Sequence, residues 1–135
     1  MLSHFIFFVV SYIISLMKTF LGGNIMFETA FAKVKSACKV EKTNFPNFAL
    51  QVNLTDENAS GIMYIAIKDG IVSVEPYDYK DRDAMIEIHS KDLVRILYGR
   101  LKVETAVCNG LLRAYGKNEV FAMIEAISTK IVRKK

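Results

Sequence analysis

Apolar positions recur along the chain at two different spacings, and the switches between them lay out the elements. In residues 27–40, Phe27, Ala30, Phe31, Val34, Ala37 and Cys38 return every three or four positions while Lys33, Lys35 and Lys39 face away, which predicts an amphipathic helix. Asn44, Pro46 and Asn47 then mark a loop. From there the period falls to two. Phe48, Leu50, Val52 and Leu54 alternate with polar or small residues and predict a half-buried strand. Residues 55–61 form a hairpin turn. The returning strand puts Met63, Ile65 and Ile67 on one face and Ile62, Tyr64 and Ala66 on the other, so both faces are largely apolar, as in a central or doubly covered strand. Asp69-Gly70 is a tight-turn dipeptide, and Val72 and Val74 point inward on the strand after it, which completes an antiparallel meander. Residues 76–83 are polar and loop-like, with Asp78, Asp81 and Asp83 interleaved with Lys80 and Arg82 as in a solvated loop. Ala84, Ile86 and Ile88 alternate in the fourth strand, opposite Met85, Glu87 and His89.

The next stretch, residues 90–116, predicts helix, turn, short helix and strand. Ser90 is the expected N-cap, Leu93, Val94, Ile96 and Leu97 form one apolar face, and Gly99 stops the helix. Residues 102–108 predict a second short helix with Val103, Ala106 and Val107 on one side. Gly110 ends it, and Leu112 and Ala114 share a face of the strand that follows. Asn118 is the expected cap of a last helix whose broad apolar side holds Val120, Phe121, Met123, Ile124 and Ile127. The lysine and arginine tail suits the C-terminus of that helix.

The N-terminal end differs in composition. No charge interrupts residues 5–17, and Lys18 is the single lysine in residues 1–27 before acids appear at Glu28. Three readings compete. The uncharged core is shorter than the ~20 residues a membrane anchor needs. A secretory signal lacks its positive start and a small-residue cleavage site. An upstream extension of a protein that begins at Met17 or Met26 agrees with the composition shift at Met26. The expected division is therefore an apolar extension over residues 1–25, a domain over 26–130 and a basic tail over 131–135.

Composition narrows the function classes. A chain of 135 residues, 52% hydrophobic and 24% charged, builds one domain with a real core and is not disordered. A net charge of +4 is too dilute for a nucleic-acid face, so no nucleic-acid partner is expected; it suits attraction to an anionic membrane surface. Cys38 and Cys108 have no CxxC neighbour and read as small buried hydrophobes in a reducing, cytoplasmic setting. His4 and His89 lack metal-ligand spacing, so no metal and no cofactor are expected. No nucleophile motif, phosphate loop or dinucleotide fingerprint occurs, which argues against an enzyme. A pocket holding His89 and Glu87 together would argue the other way.

The segments Gly99-Arg100-Leu101, Ala106-Val107 and the run from Gly110 to Gly116, preceded by Asp83, the Ala84–Ile88 strand and Ser90, resemble the sterol carrier protein type 2 family. The order of four strands, two helices and a strand matches from about Phe48 to Gly116. Lys102-Val103 stands where the family often has an acid and a proline, and Leu111 replaces an outward lysine. The resemblance implies an α+β fold: a five-stranded, mostly antiparallel sheet covered by helices, with an apolar cavity between the layers. It implies non-catalytic binding or transfer of a lipid (a sterol, fatty acid or acyl thioester). The alternative it leaves open is an accessory, lipid-holding partner of a larger enzyme assembly. Residues expected to line the cavity are Met63, Ile65, Ile86, Ile88, Leu93, Leu97, Leu101, Val107, Leu112, Phe121 and Ile124. Each also serves plain core packing, and only the ensemble marks a cavity. Leu97→Glu is expected to abolish lipid uptake and leave the fold intact.

Overall fold

The fold was obtained as a computed structural model that describes residues 25–129. The elements are α1 (Ile25–Ala37), β1 (Phe48–Leu54), β2 (Gly61–Lys68), β3 (Ile71–Glu75), β4 (Ala84–Ile88), α2 (Ser90–Leu97), α3 (Val103–Cys108), β5 (Leu112–Gly116) and α4 (Val120–Ile127). The readings of residues 1–24 and of the basic tail lie outside the described residues.

One sheet runs in the order β3-β2-β1-β4-β5. Neighbours pair antiparallel except β1 and β4, which are parallel. The β2–β3 turn is the tight one that Asp69-Gly70 predicts. Both residues have positive φ, 53° and 80°, the backbone that twists in register with its strands.

Register aligns the alternations of all five strands. Leu50 stands beside Ile65 on one side and Ala84 on the other; Val52 stands between Met63 and Ile86. Val74 continues the row beyond Ile65, while Ala114 and Leu112 continue it beyond Ile86 and Ile88. One sheet face is thus apolar from edge to edge, and the buried residues of all four helices join it in a single core cluster. Burying these side chains is the main force holding the layers together, at about 25 cal/mol per Å² of apolar surface.

The opposite face differs from the reading of β1 as half-buried. Ala49 and Gln51 are buried as well, and Asn53 is half-buried. The cause is the connection from β3 to β4. To reach β1, β4 must cross two strands, and residues 76–83 carry the chain over this face. Tyr79 packs edge-on against Tyr64 at 5.1 Å, and Arg82 Nη1 donates to Gln51 Oε1 at 3.3 Å. Gln51 Nε2 donates in turn to Asn53 Oδ1 at 3.1 Å. The loop is therefore more than a solvated connection: it roofs the centre of the sheet with paired polar groups.

Two capping expectations are also corrected. His89, not Ser90, caps α2, its Nδ1 accepting from the Lys91 N–H at 3.2 Å. Ser90 turns inward to Asp56. Glu119, not Asn118, precedes α4, and it makes no side-chain cap. Cys108 is exposed rather than buried, because it ends α3 on the solvent side; Cys38 is half-buried just past α1.

Candidate functional site

The apolar layer is assembled from both strand and helix periods. Met63, Ile65, Ile86 and Ile88 come from the inward sheet face, and Leu112 joins them through its pairing with Ile88. Leu93 and Leu97, one turn apart on α2, meet this surface, and Ile124 meets it from α4. All eight are at most 2% exposed. Leu101 is buried, and Phe121 is half-buried against the same cluster. Val107 stands apart. It is 40% exposed, because Val103 and Ala106, spaced three apart, take the inward side of α3 and turn Val107 outward. Leu50, Val52 and Ile67 belong to the same face and are equally buried, although they were not among the expected lining residues. The alternation that marked their neighbours marked them too. Met123 and Ile127 on α4 are likewise enclosed.

Polar groups sit only at the margins of this layer. Gln51, Asp56 and Ser90 are the buried polar residues among those described, and Gln51 lies on the far face of the sheet. Asp56, in the β1–β2 turn, accepts the Ser90 N–H on Oδ1 at 2.8 Å and the Ser90 hydroxyl on Oδ2 at 2.5 Å. His89 Nε2 lies 3.7 Å from the same carboxylate. This arrangement pins the hairpin to the start of α2. Asp83 does similar work at the other end of β4. Its Oδ2 accepts the Ala49 N–H at 2.8 Å and its Oδ1 accepts Lys117 Nζ at 2.7 Å. The Lys117 hydrogen bond holds the Asp83 carboxyl below its ordinary pKa. Neither role was visible in sequence, since both depend on which strands become neighbours.

Glu87 and His89, two residues apart in sequence, border different hollows. Glu87 accepts the Tyr115 hydroxyl at 2.7 Å and borders a hollow of about 250 Å³ with Arg113, whereas His89 faces another hollow beside Met26 and Asp56. Among the described residues no three His, Cys, Asp or Glu side chains gather as a metal site. A groove of about 480 Å³ opens where the α2–α3 turn meets the end of α4, bordered by Ile96, Val103 and Thr129. No described helix is long and apolar enough to cross a membrane.

A mixed five-stranded sheet, apolar across one whole face and backed there by four helices, defines an α+β domain built around an apolar layer. Residues 27–128 match the SCP-2 sterol transfer family, and the chain belongs to that family. Solved structures agree on the fold. Sterol carrier protein 2-like 2 from Aedes aegypti superposes with a TM-score of 0.55 at 17% identity, covering 75% of this chain and 94% of its own. The palmitated form of that Aedes aegypti protein, solved in solution, gives 0.50 at 18% identity, covering 80% and 96%. A stereoselective inverting sec-alkylsulfatase from a Pseudomonas species gives 0.54 at 12% identity over 76% of this chain. The present chain spans only 14% of that sulfatase's length. A search of curated proteins returns no match.

Proposed function

We propose that this protein is a non-catalytic lipid carrier that takes a sterol, fatty acid or acyl thioester between its sheet and helices. The observation that carries the reading is the inward sheet face, which is apolar over all five strands within the span of the family match. An acyl chain leaving water for such a layer gains about 0.8 kcal/mol per methylene. A chain of about fourteen carbons therefore gains roughly 10 kcal/mol before the costs of association, enough for stable capture. The palmitated Aedes aegypti protein, similar in fold, supports an acyl chain as cargo. Two free thiols support action in the reducing cytoplasm. The accessory role in an enzyme assembly is the second reading, favoured by the occurrence of this fold within the much longer sulfatase chain.

The test is saturable uptake of a fluorescent fatty acid by the full chain, with native mass spectrometry of protein from its own host to identify cargo. Leu97 is fully enclosed, so Leu97→Glu would bury a charge and unfold the domain instead of only emptying it. Leu97→Phe is the better probe. It adds bulk to the same layer and is expected to lower uptake while circular dichroism stays native. Absence of saturable uptake by folded wild-type protein refutes the carrier. Co-purification of a dedicated enzyme, with no lipid exchange between vesicles, selects the accessory role.

A further inference from the structure

The two edges of the sheet are finished differently. Along β3, residues 41–43 act as a short extra strand. Lys42 bridges Ile71, the Val72 N–H donates to the Glu41 carbonyl at 2.9 Å, and the Thr43 N–H donates to the Gly70 carbonyl at 2.9 Å. Beyond β5 no such backbone partner stands among the described residues. The direction of its free groups follows from β4. The Thr55 N–H donates to the Ile88 carbonyl at 3.1 Å, so the backbone of Ile88, and by alternation that of Ile86, faces β1. Met85 and Glu87 then face β5, where they pair with Tyr115 and Arg113. Leu112 and Ala114, the alternate residues of β5, therefore aim their N–H and C=O groups away from the sheet. Ala114 is only half-buried, so the helices leave this margin of the inward row open. Open edges are commonly blunted by a proline or an inward charge. The strand Leu112–Gly116 has no proline, and its one charge, Arg113, is on the outward face.

We propose that β5 pairs antiparallel with β5 of a second copy of this chain, about a two-fold axis at Ala114, joining the two five-stranded sheets into one. The strand is complementary to itself. Each Ala114 donates to and accepts from its counterpart, and Leu112 stands opposite Gly116 of the other copy. On the outward face, Arg113 stands directly opposite the other copy's Tyr115, and symmetry makes the contact twice. Arg113 is exposed and forms no ion pair among the described residues. The Tyr115 side chain is 48% exposed, and its hydroxyl donates to Glu87. A guanidinium laid on that ring also approaches the Glu87 carboxylate, so ring and charge attract it together. This match selects a second copy over an unrelated extended segment. The proposal stands apart from the carrier reading, since association is measured without lipid.

A contact centred on one short strand belongs to the small, transient class, so monomer and dimer should exchange, and the mass from sedimentation equilibrium should rise from about 10 µM to about 1 mM protein. The full chain is run with a reductant, because Cys108 is exposed. Over the same range, amide exchange read by NMR should slow at Leu112 and Ala114 but not at Arg113 and Tyr115, whose groups already face β4. Ala114→Pro removes the central donor at a position where an edge strand tolerates proline, and it should abolish the dimer. Arg113→Glu, an exposed change that does not depend on the fold accepting proline, should weaken association roughly 30-fold by removing two attractive pairs and facing acid with acid. Lys33→Glu on the exposed side of α1 should leave association unchanged. A monomer at every concentration, or a dimer that survives Arg113→Glu, would overturn the proposal. So would protection of Leu112 and Ala114 at all concentrations, which would put another segment of the same chain on this edge.

Discussion

Removing the Asp83 carboxylate tests how the strand crossover is held. One oxygen of Asp83 accepts the Ala49 N–H of β1; the other accepts Lys117 Nζ beyond β5. Backbone bonds run alongside: the Asp83 N–H donates to the Ala49 carbonyl at 2.8 Å, and the Lys117 N–H to the Asp83 carbonyl at 3.1 Å. Asp83→Ala leaves the backbone bonds and strands the N–H of buried Ala49, at a cost of about 1–3 kcal/mol. The Lys117 pair adds little to this, because the lysine side chain is 63% exposed and solvent screens the charge. A total near 2 kcal/mol lowers the melting temperature by roughly 8–15 °C for a domain of this size. Asp83→Asn, which can still accept from Ala49, should cost about half as much.

The pH dependence has a definite sign. The folded pKa of Asp83 is depressed by the Lys117 hydrogen bond, so the charged form is favoured in the fold. Its contribution is complete above the unfolded aspartate value of about 3.9 and is lost as pH falls through the lower folded value. The stability gap between wild type and Asp83→Asn, measured by urea unfolding, should be steady from about pH 7 to 5 and shrink in stronger acid. A gap that widens with acidification, or Asp83→Ala within about 0.5 kcal/mol of wild type, would refute the reasoning.

Two further outcomes follow from burial. Burial pushes the Cys38 thiol up to about 11, so at pH 8 roughly one molecule in a thousand carries its thiolate, whereas Cys108 is exposed. Dithionitrobenzoate should therefore titrate one thiol rapidly in the native protein, and Cys108→Ser should remove that phase; two thiols reacting at one rate would contradict the placement. Leu97→Ala should cost about 2–5 kcal/mol as a core truncation, while Val107→Ser should stay within about 0.5 kcal/mol. Urea midpoints decide between them, and equal losses would put Val107 back in the core.

Much of this protein was legible from periodicity alone. A two-residue alternation already states which side chains of β1, β2 and β4 share a face, and Asp69-Gly70 already states where β2 reverses, because these are local consequences of backbone geometry. Glycines, helix spacing and the order of elements were enough to carry the family resemblance. What periodicity cannot express is which element covers a face. β1 looked half-buried because its alternate residues are small or polar, yet residues 76–83 cross over them, and only the placement of β4 beside β1 brings that about. Val107 shares an apolar run with Val103 and Ala106, but a six-residue helix buries one narrow side, and docking against β5 and α4 chose the other two. Asp56 and Asp83 have no signature of their roles along the chain. Their partners are tens of residues away, and three-dimensional closure alone brings them within reach.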